Sequence, residues 1–78
     1  MSNPAQFKRF DACKLLSKGI EPFPEIRKRV DALEAGEGLA VIAPFLPSPL
    51  IEKLRSEGFG ARAEPQPDGT WVTYFWRN

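Results

Sequence analysis

A run of five apolar residues, Leu39-Ala40-Val41-Ile42-Ala43, lies at the middle of this chain. A continuous apolar run of that length is the mark of an interior strand. The remainder of the chain must therefore supply a sheet around it and a layer to cover it. With 78 residues there is material for one domain. A chain of this size buries roughly 60% of its unfolded surface, so its core is small.

The flanking segments read as the rest of that domain. Residues 1–7 are polar and are expected to form a loose tail, leaving 8–78 as the folded unit. Lys8 to Cys13 reads as a first strand, with Phe10 and Ala12 on one face and Asp11 and Cys13 on the other. Lys14 to Ile20 reads as a connecting loop carrying Gly19. A first helix is predicted from Pro22 to Leu33, because Ile26, Val30 and Leu33 recur at helical spacing and Phe23 extends the stripe. Pro22 and Pro24 are tolerated there, since the first helical N–H groups have no intrahelical acceptor. Gly36 and Gly38 end the helix.

After the apolar run, Ser48 and Pro49 read as N-cap and first residue of a second helix that turns Leu50, Ile51 and Leu54 inward. Gly58 is its expected stop. Phe59 to Gln66 reads as a third strand. Pro67-Asp68-Gly69-Thr70 is a hairpin turn, because Asp-Gly accepts the positive φ that such a turn requires. Trp71 to Trp76 is a fourth strand of aromatic and β-branched residues. The order β-α-β-α-β-β predicts an α/β (α+β) two-layer sandwich: a mixed four-stranded sheet with two helices on one face and the other face partly open.

Composition removes several function classes. Histidine is absent, which excludes His-based acid–base catalysis, Ser-His triads and His-containing metal sites. No metal site and no cofactor is expected. The single cysteine permits no intrachain disulfide and suits a reducing cytoplasm. No signal peptide or membrane span is read. The formal net charge of +1 gives no global attraction to nucleic acid or membrane. The local excess of Lys8, Arg9, Lys14, Lys18, Arg27, Lys28 and Arg29 over nearby acids reads as a solvated basic face.

Gly19-Ile20-Glu21-Pro22-Phe23-Pro24 is similar to the helix start of small bacterial sulfur carriers of the TusA (SirA-like) type, which have Cys-Pro-x-Pro there; Glu21 stands in place of the cysteine. More of the chain resembles one bacterial family of unknown function with a TusA-like fold, whose members occur alone or beside hemerythrin-like domains. The resemblance runs through Phe10-Asp11-Ala12, Leu15-Leu16, Gly19, Pro22, Ile26, Leu33, Gly36 and Leu39. It continues through Ala43-Pro44-Phe45, Pro47, Pro49-Leu50, Leu54, Gly58-Phe59 and Trp71. An Arg often follows the Asp-Ala pair in that family; here the position is Cys13. These landmarks are turn and packing residues, so they imply the fold rather than a mechanism.

Two functions are consistent with this. The first is an accessory or protein-interaction module. The fourth strand carries Trp71, Thr73 and Phe75 on one face and Val72, Tyr74 and Trp76 on the other, and helices need only one row. The other row is expected to be an exposed apolar patch for a partner protein or a second copy, unless the N-terminal segment covers it. Trp71, Tyr74, Phe75 and Trp76 are the candidate contact residues. RNA stacking on these aromatics is disfavoured by Glu64 and the near-neutral charge. The alternative is a thiol or persulfide carrier using Cys13, brought toward the helix start by the intervening loop and ionised with help from Lys14 and Lys18; against it stands the favoured reading of Cys13 as a small, inert strand residue. Glu21 cannot carry sulfur. It reads as an acid or base, with Glu25 or Asp11 as partner, as an acceptor for a cationic ligand, or as a helix-start carboxylate that improves capping; the last needs no partner and is favoured. Asp11 is expected to accept from backbone N–H groups of the following segment.

Overall fold

A computed structural model describes residues 7–77. Four strands, β1 (Phe7–Asp11), β2 (Gly38–Ala43), β3 (Gly60–Pro65) and β4 (Trp71–Trp76), form one sheet in the order β1-β2-β4-β3. β1 and β2 are parallel; β4 runs antiparallel to both β2 and β3. β2 is thus paired on both sides, as its apolar run requires, and Leu39, Ala40 and Val41 are buried. Three helices accompany the sheet: α1 (Ala12–Ser17), α2 (Phe23–Asp31) and α3 (Ser48–Ser56). Phe10, Leu39, Val41, Ala43, Ala61 and Phe75 on one sheet face pack with Ile26 and Val30 of α2, Leu33 beyond it, and Leu50, Ile51 and Leu54 of α3. Each large side chain so buried contributes about 1.5–3 kcal/mol of transfer free energy.

The two-layer α+β architecture with a mixed four-stranded sheet and two longer helices is therefore present. The segment read as a loop is not a loop. α1 occupies Ala12–Ser17, so Cys13 is a helical residue and not the end of a strand. Asp11 is its N-cap, with extended backbone and a carboxylate that accepts from the Cys13 N–H at 2.9 Å. Gly19 closes it with φ +74°: its N–H reaches Leu16 O at 3.0 Å, and the Ile20 N–H reaches Leu15 O at 2.9 Å. That pair of bonds is a Schellman motif. Gly58 ends α3 in the same way, with the Gly58 and Phe59 N–H groups on Arg55 O and Leu54 O.

Smaller differences have local causes. β1 begins at Phe7, one residue inside the expected tail, because Phe7 pairs with Gly38; residues 1–6 lie outside the described part. Pro47 rather than Ser48 holds the N-cap position of α3, which places Ser48 and Pro49 in the first turn. Phe23 does not continue the buried stripe of α2; it is 40% exposed.

The hairpin turn is built as its residues predict. Gly69 has φ +89° and donates to Gln66 O at 3.1 Å, while Asp68 Oδ1 accepts from the Thr70 N–H and Oγ1 at 3.0 and 2.6 Å. These two bonds hold the Asp68 carboxyl below its ordinary pKa, the hydroxyl being the larger cause.

Candidate functional site

The parallel β1–β2 pair puts Asp11 and Ile42 side by side, and Ala43, Trp71 and Pro65 follow in register across the sheet. One end of the sheet therefore gathers the starts of α1 and α3, and α2 begins beside α3 at that same end. Between those two starts lies a groove of 530 Å³ lined by Glu21, Phe23, Pro24, Arg27, Pro49, Leu50 and Lys53. Its cations are already engaged. Arg27 Nη1 is 2.6 Å from Glu57 and its Nε 3.1 Å from Asp31, and Lys53 Nζ is 3.7 Å from Glu57. The Glu57 hydrogen bond, with Asp31 adding to it and burial opposing, raises the Arg27 pKa above its ordinary value.

Glu21 is exposed, and its Oε1 accepts from the Phe23 N–H at 3.3 Å. Pro22 and Pro24 hold the N-cap and second positions of α2, where neither needs an N–H. Pro22 has no side-chain cap to offer, and the preceding carboxylate substitutes for one. No second acid lines the groove beside Glu21. Glu25 is held by Arg29 at 3.0 Å and Asp11 caps α1. The proton-transfer pair considered for Glu21 is thus not assembled.

Cys13 is half-buried in the first turn of α1, with Sγ donating to Ile42 O at 3.9 Å. Burial pushes its thiol above the ordinary pKa, and the charge and hydrogen bonding of Asp11 push it further, with a smaller contribution from Asp68. The charges acting on the thiol are acids. Lys14 and Lys18, expected to help ionisation, are not among them.

The second surface is the sheet face turned away from the helices. Strand alternation and register place three rows there. They are Phe7, Gly38, Trp76 and Gly60; then Arg9, Ala40, Tyr74 and Arg62; then Asp11, Ile42, Val72 and Glu64. The Phe7 ring centroid lies 4.9 Å from that of Tyr74 and 6.5 Å from that of Trp76, both edge to face. The Trp76 indole lies against the Gly60 backbone, so that a Cβ on Gly60 would stand 2.0 Å from it. The Arg62 guanidinium is 5.6 Å from the centre of the Tyr74 ring.

The four aromatic residues read as contact candidates divide by parity. Tyr74 and Trp76 are half-buried on the open face. Trp71 is half-buried and shares the helix-side row with Thr73 and Phe75. Phe75 has no exposed surface and belongs to the core, so it offers nothing to a partner. Phe7 and Arg9 complete the surface and were missed, Phe7 because it was assigned to the tail. The signal was present: Phe7 and Arg9 alternate with Phe10 and so share the face opposite to it.

A family model described as Uncharacterized conserved protein (DUF2249) matches residues 9–77, which takes in every strand and helix except the first two residues of β1. No curated protein and no solved structure matches the chain. Among the described residues, no group of His, Cys, Asp or Glu is arranged to hold a metal ion, and no helix is long and apolar enough to cross a membrane.

Proposed function

We infer that this chain, which belongs to the DUF2249 family of uncharacterized conserved proteins, is a non-catalytic protein-interaction module that binds through the open face of its sheet. One observation carries the reading: Phe7, Tyr74 and Trp76 pack edge to face on the side of the sheet that no helix covers. Aromatic side chains grouped on an accessible surface are what interface hot spots are made of. The helix-start end supports the same reading by what it lacks. It has the turn and proline geometry of a site, but its carboxylate serves as a cap, Lys53 is paired with Glu57, and among the described residues no thiol or hydroxyl lines its groove.

The reading is tested by placing a photo-crosslinking side chain at position 74 in cells, with position 52 on the outer side of α3 as control. A discrete protein adduct from position 74 alone, lost when Trp76→Ser is added and the fold is retained, is expected. No adduct, or equal adducts from both positions, would overturn it.

The alternative, a thiol or persulfide carrier through Cys13, has weaker support. A thiol held above its ordinary pKa forms little thiolate at neutral pH, and the thiolate is the species that accepts sulfur. Intact mass after incubation with a cysteine desulfurase and cysteine, beside a Cys13→Ser control, distinguishes the two. No gain is expected; a gain of one sulfur mass in the wild type alone would establish the carrier.

A further inference from the structure

The charges of the open face are sorted by position. Its two lower rows carry three aromatic rings and two cations, Arg9 and Arg62, and no acid. The two acids of the face stand in the upper row, and both are engaged. Asp11 caps α1 at 2.9 Å, and Glu64 meets Arg62 at 3.0 Å. Arg9 is exposed and has no ion-pair partner among the described residues. Arg62 is more than half exposed, so its pair with Glu64 is weak and exchanges readily for another carboxylate. The two cations sit on the two outer strands, three strand spacings or about 14 Å apart, with Tyr74 between them.

Resting on the interaction-module reading, we propose that this face takes an acidic segment of a partner protein, whose apolar side chain sets against Tyr74 and Trp76 while its carboxylates meet Arg9 and Arg62. An aromatic centre flanked by one unpaired cation, Arg9, and one exposed, exchangeable cation, Arg62, is complementary to that chemistry. It is poorly complementary to a second copy. Stacked face to face about a two-fold axis along the strands, two copies set Arg9 against Arg62 and Asp11 against Glu64. With the axis across the strands, Arg9 meets Arg9 and Arg62 meets Arg62. Both aligned packings oppose like charges. A nucleic-acid strand is also a poor fit. The Phe7 ring is turned 66° and 75° from those of Tyr74 and Trp76, so the three rings do not form parallel platforms for successive bases.

The test is amide NMR of the full chain titrated with four probes. These are a capped peptide with glutamates on both sides of a central phenylalanine, its glutamine counterpart, its lysine counterpart, and an oligouridylate. The acidic peptide is expected to shift the Trp76 indole N–H and the amides of Arg9, Tyr74 and Arg62, and to bind about tenfold more tightly than the glutamine peptide at low salt. High salt and the double variant Arg9→Ser/Arg62→Ser should both erase that advantage, bringing the acidic and glutamine peptides to equal affinity. Equal or tighter binding of the glutamine or lysine peptide would overturn the acidic partner but keep the interaction module. Tighter binding of the oligouridylate, or concentration-dependent shifts of the same signals without any probe, would replace it with nucleic acid or a second copy. If no probe moves the face, the interaction-module reading falls with it.

Discussion

Both faces of this sheet carry aromatic and aliphatic side chains, yet those side chains end in different surroundings. Phe75 and Tyr74 are neighbours in β4. Phe75 lies beneath the helices with no exposed surface, while Tyr74 is half-exposed beside Phe7 and Arg62. The covered face is closed by aliphatic side chains from α2 and α3. The open face is finished by aromatic rings packed on one another and on a bare glycine, with arginines at its margins. The contrast teaches that a large side chain in a strand is fully buried only where a second layer is available to cover it; small ones such as Ala40 and Val72 are buried on the open face too. Where none is, Tyr74 and Trp76 stay half-exposed, and aromatics with polar edges tolerate that position best.

The sharpest way to break the comparison is to truncate one ring on each face. Phe75→Ala should lose about 3–5 kcal/mol of stability in urea unfolding, by lost transfer energy and an unfilled cavity. Tyr74→Ala should lose only about 1 kcal/mol, as expected for a half-exposed site. Similar losses at the two positions would mean that the faces are not energetically distinct. Next in size is Gly60→Ala. The added methyl must displace the Trp76 indole, and overpacking of this kind costs about 1–3 kcal/mol. The Trp76 indole resonance should move and the core methyl signals should not; disturbed core signals would show that the open face is coupled to the core.

The covered face contains one misfit, which gives an effect of opposite sign. Thr73 is 1% exposed, and its Oγ1 has no hydrogen-bond partner among the described residues. A buried, unpaired hydroxyl is destabilising, so Thr73→Val should raise stability by about 1 kcal/mol. A loss would reveal a partner for that hydroxyl. The smallest effect concerns chemistry at the sheet's end. Cys13 should react with iodoacetamide more slowly than free cysteine at neutral pH, with its rate profile displaced to higher pH. Asp11→Asn keeps the cap but removes a negative charge, so it should shift the profile back toward lower pH. A profile already below that of free cysteine would contradict the acidic surroundings of the thiol.

Much of the fold was legible residue by residue. The interior strand was announced by Leu39–Ala43, the hairpin by Asp68-Gly69, and β4 by its composition, with both of its ends placed correctly. Gly58 was read as a helix stop, and it closes α3. Gly19 makes the same pair of bonds, but α1 was missed. Only six residues separate Asp11 from Lys18, too few for a periodic stripe to emerge, and the cap at Asp11 was read as a loop contact. The candidate site was less legible. Glu21, favoured as a helix-start carboxylate, accepts from the Phe23 N–H; Phe75, included among the surface candidates, is buried, and Phe7 was left out.

The sequence by itself determined several local events: the span of β4, the stop of α3 at Gly58, the positive φ at Gly69, and that β2 lies inside the sheet. Those depend on caps, glycines, prolines and spacing within a few residues. The tertiary structure decided which row of β4 is covered, that Phe7 joins the sheet, that Arg9 and Arg62 flank one aromatic surface, and that acids surround Cys13. Alternation defines two rows in each strand but cannot say which meets the helices, because β2 is apolar on both. That choice is made only when Ile26, Val30 and Leu54 settle on Val41 and Phe75, contacts between residues far apart in the chain.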